Sequence, residues 1–225
     1  MDLRKYSGLT VILYFVNLFL YSLFSILDIE QLTEVFWFIR IPILLLLYLI
    51  TSQRKNILFI MALLLYQCAT VFFFLGTPMT FIYATFSSML FKLCLFILIL
   101  GLVTKQNYKA VSIAFIPFFV IYLYIIEFVV EFLGDTYYIW ILNAFFTSFI
   151  GGVAIINYVN NPAKKNYWLL ISSILFIIQV AAFFINKFYI RNEGIYALVI
   201  LSYGISHFTF YKFVLMHEEE KSLSR

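Results

Sequence analysis

The stretch Pro117-Phe-Phe-Val-Ile-Tyr-Leu-Tyr-Ile-Ile-Glu-Phe-Val-Val-Glu131 decides the fold of this chain. It belongs to a long apolar run over residues 110–133. About 20 such residues cross the hydrocarbon core of a bilayer as one helix. Glu127 and Glu131 stand four positions apart in it, on one helix face. A carboxylate inside a membrane segment costs about 3 kcal/mol on insertion scales, so it normally faces a partner or a watery cavity.

The rest of the chain has the same character. Its 225 residues are 64% hydrophobic and 12% charged, against about 45–50% and 25% in an ordinary soluble domain. Such a chain cannot cover itself with polar surface, and the bilayer becomes its solvent. Apolar runs predict spans at residues 7–27, 35–51, 57–75, 79–103, 110–133, 137–159, 167–186 and 195–216. The expected fold is all-α: a polytopic bundle of eight transmembrane helices forming one integral membrane domain over residues 1–225. No connection is long enough for a soluble domain.

Basic residues set the expected orientation. Arg4, Lys5, Arg54, Lys55, Lys105, Lys109, Lys164, Lys165, Lys221 and Arg225 fall on one side, and only Lys187 and Arg191 on the other. The positive-inside rule then places both termini in the cytoplasm. The start, Met1-Asp-Leu-Arg-Lys5, leads into a full-length span without an Ala-x-Ala-like cleavage site, which reads as a retained helix. The lack of an organelle-type targeting peptide points to a bacterial inner (plasma) membrane. The net charge of +4 belongs to short loops, which argues against nucleic acid as a partner. Cys68 and Cys94 lie in apolar runs without partners at metal-ligand spacing, so no metal or cofactor is expected.

Tyr and Trp near span ends, such as Trp37, Tyr137, Trp140 and Tyr189, read as interfacial belts. Ser148 and Gly152 form a small-xxx-small pair that permits a close helix contact. Pro42 and Pro117 each remove an amide donor inside a span. The tail from His217 to Arg225 reads as a solvated helix end.

Several polar residues lie within the spans. Helical rise puts Arg40 roughly 8 Å below the outer surface, Glu127 and Asn143 roughly 9 Å, and Gln179 roughly 11 Å. Gln67, Lys92 and His207 fall nearer the middle. These seven are the candidate cavity residues. Three readings stay open, one of them chance placement of these groups toward a lipid interface. In a second, Arg40 and Glu127 form a buried ion pair that fixes helix register. In the third, the polar layer is a cavity open toward the outer face that binds a headgroup, an ion or a small solute. His207 reads as a hydrogen-bonded packing residue. No nucleophile elbow, P-loop, dinucleotide fingerprint or CxxC is present, so catalytic residues are unknown.

Ser173-Ile-Leu-Phe-Ile-Ile-Gln-Val-Ala-Ala-Phe-Phe-Ile-Asn-Lys-Phe188, followed by Ser202-Tyr-Gly-Ile-Ser-His207, resembles the end of the YhhN/lysoplasmalogenase-like family. Arg40-Ile-Pro42 falls where that family has a Lys-Pro, and Lys92 near a fourth-span His. The resemblance implies eight membrane helices and a cavity for a lysolipid-like ligand; known members hydrolyse the vinyl-ether bond of lysoplasmalogens. Gln67/Cys68 and Gln179, however, stand at the family's acidic positions, and His207 where Gln is usual. Vinyl-ether hydrolysis needs a proton donor, and an amide does not supply one. The resemblance therefore implies a lipid-binding cavity in which the family's acids are replaced. The alternatives are a small-solute or ion transporter lined by Glu127, Arg40 and Lys92, and a structural or accessory membrane subunit.

Overall fold

The computed structural model describes residues 3–223. Arg225 and the Arg4 side chain, both counted in the charge bias above, lie outside that description. After a 3-10 turn at Leu3–Tyr6, the chain forms α1 (Ser7–Ile26), α2 (Glu30–Thr51), α3 (Ile57–Leu75), α4 (Pro78–Leu100) and α5 (Tyr108–Phe128). A one-turn α6 (Val130–Leu133) and a 3-10 turn (Gly134–Thr136) lead to α7 (Tyr137–Asn160), α8 (Lys164–Phe188) and α9 (Glu193–Leu223). Among the described residues there is no strand, and eight helices are long and apolar enough to span a membrane. The chain is an integral membrane protein.

Local chemistry sets the helix ends. Asn56 caps α3 by accepting from the Leu58 amide at 3.0 Å. That helix stops at Gly76, whose φ of +67° is the left-handed value a C-terminal cap needs. Thr77 and Thr80 then make a reciprocal capping box, with Pro78 at the first position of α4. The expected fifth span is interrupted: Val129 leaves helical geometry at φ −117°, ψ 12°, and α5 ends at Phe128. The last helix runs past its expected end at residue 216, to Leu223.

Helix packing places α1, α2, α3, α4, α7, α8 and α9 in a ring, each against the next, with α9 returning to α1. α5 stands outside the ring against α7. Only 17% of its apolar window is buried, against 67% for α9, which makes α9 the inner wall and α5 the outermost helix. At Gly152 of the Ser148/Gly152 pair the expected close contact is there. A Cβ on Gly152 would lie 2.9 Å from the Phe115 amide nitrogen and 3.0 Å from the Val111 carbonyl oxygen, so glycine lets the α5 backbone touch α7.

The connections at 52–56, 101–107 and 161–163 share one end of the bundle with residue 3 and residue 223, here the termini end. Those at 27–29, 76–77, 129–136 and 189–192 form the far end.

At the termini end the expectation of a solvated tail fails at Glu218. Its carboxylate is buried and accepts hydrogen bonds from the Tyr48 hydroxyl at 2.5 Å and the Ser52 hydroxyl at 2.7 Å. The Asn56 amide in turn donates to Tyr48 Oη at 2.6 Å. Glu219 and Glu220 on the same helix are exposed, and Glu220 pairs with Lys165. Glu218 thus clamps α9 to the α2–α3 turn. Glu218→Ala would strand two hydroxyls and should lower unfolding stability in detergent by about 2–3 kcal/mol. Glu218→Gln should lose less, because an amide oxygen still accepts. Equal losses in the two variants would count against the clamp.

Candidate functional site

The site is built from the far-end halves of α1, α2, α3 and α9. Arg40, ten residues into α2, is 2% exposed. Its guanidinium donates to the Tyr66 hydroxyl at 3.3 Å and lies 5.8–5.9 Å from the ring centres of Tyr21, Tyr66 and Tyr203. Its Nε has no hydrogen-bond partner among the described residues. The salt bridge between Lys165 and Glu220 lies at the other end. A buried cation in an aromatic cage, with no carboxylate paired to it, is the central feature of this protein.

Arg40 borders a chamber of about 70 Å³, also lined by Tyr21, Tyr66, Ser88, Tyr196 and Tyr203. No described Asp or Glu belongs to that lining. Trp37, Phe73, Phe183 and Tyr196 line both this chamber and a vestibule of about 570 Å³ at the far end. The vestibule wall carries Asp28, Glu34, Lys187, Arg191 and Glu193. A polar mouth therefore narrows onto a tyrosine-walled cationic pocket.

Tyr66 connects the chamber to a deeper layer. Its ring lies 4.1 Å, centre to centre, from the His207 imidazole, which also stacks on Phe91 at 5.2 Å. His207 Nδ1 sits 2.6 Å from the Tyr203 carbonyl oxygen, while Nε2 has no partner among the described residues. His207 is hydrogen-bonded and packed, as expected. Lys92 lies beyond Phe91, with Nζ 3.0 Å from the Phe176 ring centre and no hydrogen bond to a described residue. Gln179 accepts from the Ser206 hydroxyl at 3.1 Å, one residue from His207. Arg40, His207, Gln179 and Lys92 thus form one column around Tyr66 and Phe91.

The other candidates are placed differently. Asn143 stands behind the chamber wall, donating to Ser88 Oγ at 3.2 Å and accepting from the Tyr122 hydroxyl at 3.2 Å. It ties α4 and α5 to α7. Gln67 serves the fold. Pro42 leaves the Phe38 carbonyl without its helical donor, and Gln67 Nε2 donates to that oxygen at 3.3 Å. In a membrane such a freed carbonyl needs a substitute donor.

Glu127 does not join the layer. It is exposed on α5, Glu131 is exposed on α6, and Arg40 is buried inside the ring. The Arg40–Glu127 ion pair, one of the readings left open by the sequence, is not formed. Helical rise fixes the level of each residue but carries no information on which side of α5 faces the bundle. Helix α5 is also the member outside the ring, so Glu127 lies on the outer face of the bundle.

Sequence reading missed the tyrosines. Tyr21, Tyr66, Tyr196 and Tyr203 sit inside rather than in an interfacial belt, and three of them surround Arg40. Their alignment with Arg40 at similar depth was the available signal. Comparison with protein-family models, with curated proteins and with solved structures returns no match to this chain.

Proposed function

We propose that this protein binds, within the membrane, a ligand whose anionic group is held by Arg40. The observation that carries this reading is a buried guanidinium with an unpartnered Nε and no salt bridge to a described carboxylate. Burying an uncompensated charge costs several kcal/mol, and a phosphate or carboxylate at Arg40 would remove that cost. The ligand is a single-chain lipid, in keeping with the resemblance to lysoplasmalogenase-like proteins. Residues of the resembling stretches support this: Gln179 and Ser206 bond beside His207, and Asn186 and Lys187 line the vestibule. The family's acidic positions hold Gln67/Cys68 and Gln179 in this chain, so the reading is of a lipid bound rather than hydrolysed. Both termini face the cytoplasm, and the lipid is taken up from the opposite leaflet.

One experiment tests the reading. The purified protein in lipid nanodiscs is incubated with a lysoplasmalogen, and both retained lipid and released aldehyde are measured. Retained lipid without aldehyde above an empty-nanodisc control is the expected result. Aldehyde release would overturn the binding-only reading. Inorganic phosphate or a soluble organic phosphate retained in place of lipid would move the ligand to the solute class. Retention of neither would leave Arg40 as a packing residue in a structural subunit.

A further inference from the structure

The chamber at Arg40 houses only part of an amphiphile. A cavity needs roughly 10–15 Å³ of such space for each water. About 70 Å³ therefore takes one phosphate- or carboxylate-sized group with a few waters. The vestibule is larger, but Asp28, Glu34, Lys187, Arg191 and Glu193 wall it. Hydrocarbon there would strip water from charged groups without replacing their hydrogen bonds.

A third cavity, of about 360 Å³, lies at the far end between the α3–α4 turn, α6 and the end of α8. Phe72, Phe81, Ile82, Phe132 and Phe188 form its apolar wall, and its lining carries two charged residues, Asp135 and Lys187, against five in the vestibule. Among the described residues, Phe73 is the one side chain that lines all three cavities. Its ring lies 5.8 Å from Phe81 and 5.4 Å from Phe183, and it is only partly buried. Lys187 lines both the third cavity and the vestibule, with Nζ 4.9 Å from the Phe81 ring centre.

We propose that this third cavity is the subsite for the hydrocarbon chain of the single-chain lipid, with Phe73 as the partition around which the ligand bends. The inference rests on the headgroup reading above. The anionic group lies in the Arg40 chamber, the polar connecting part crosses the vestibule, and the chain lies against Phe81, Phe132 and Phe188. Lys187, already over the aromatic wall, sits at the rim where the polar and apolar parts of the ligand meet.

The test titrates the full chain in nanodiscs with three probes: a long-chain lysophosphatidylcholine, its short-chain homologue, and glycerophosphocholine, which has no chain. Ile82→Trp fills the third cavity and lies outside the Arg40 chamber. It should weaken the long-chain lipid at least about tenfold, the worth of a few buried methylenes, and leave glycerophosphocholine unchanged. Phe132→Ala, at a half-exposed position, enlarges the cavity and should shift preference toward longer chains, which keeps the test readable if Ile82→Trp does not fold. If long-chain affinity is unchanged in both variants while Arg40→Met weakens it, the chain subsite is overturned and the headgroup reading stands. Affinity unchanged in Arg40→Met as well would overturn both.

Discussion

Arg40→Met is expected to stabilise the ligand-free protein by about 1–3 kcal/mol while weakening lipid binding at least about thirtyfold. The sign follows from competing magnitudes. Three tyrosine rings at 5.8–5.9 Å lie near the outer limit of cation–π attraction, so each contributes about 0.5 kcal/mol. The single hydrogen bond to Tyr66, at 3.3 Å, is long and adds about 1 kcal/mol at most. Against these stands the several-kcal/mol penalty of a buried charge without a counter-ion. Methionine keeps the stem's packing and removes the penalty. Unfolding in detergent and lipid titration of the same preparation measure the two effects. A variant that loses stability would show that Arg40 serves the fold, and the binding reading would fall with it.

Gly152→Leu is expected to cost at least about 3 kcal/mol and to detach α5. The atoms that a side chain would strike are backbone, at Phe115 and Val111, and backbone moves only by moving the helix. Gly151 supplies the control. A Cβ there meets the Phe118 ring at 3.0 Å, and a ring turns aside more easily than a main chain. Gly151→Ala should therefore cost clearly less than Gly152→Ala. Because α5 packs outside the ring, the damage should stay local: proteolysis should open residues 101–136 first, while the Arg40 chamber still binds. Equal costs at the two glycines would mean that α5 is not held by this approach.

The number of helices was legible because the bilayer sets length, and runs of about 20 apolar residues have few other readings. Which faces turn inward was not. A helix in lipid is apolar on both its buried and its exposed side, so periodicity carries little signal. That is why Glu127 could be placed at the right level and on the wrong side of the bundle wall. The same blindness hid the tyrosine cage, since an amphipathic ring suits an interfacial belt as well as an interior one. Gln67 and Glu218 were obscured for a different reason. The partner of Gln67 is a carbonyl freed by a proline on another helix, and Glu218 is clamped by residues about 170 positions earlier. Neither pairing leaves a local pattern. Arg40, Lys92, Gln179 and His207 did converge, because a polar side chain in a span has few places to go except inward.

The contact between the first and last helices has a consequence for biogenesis. Tyr14 donates its hydroxyl to the carbonyl of Gly204, 190 residues later, and Thr10, Asn17, Ser22 and Ser25 give α1 a buried polar stripe. At roughly 5–20 residues per second, a ribosome takes roughly 10–40 s to make the stretch between them. During that interval the nascent bundle is an open crescent, with the hydroxyls and amide of α1 facing lipid or whatever insertion machinery shields them. The pocket around Arg40 does not exist until α9 arrives, because Tyr196 and Tyr203 are carried on it. Ring closure and completion of the site are therefore one event, and it waits on α9.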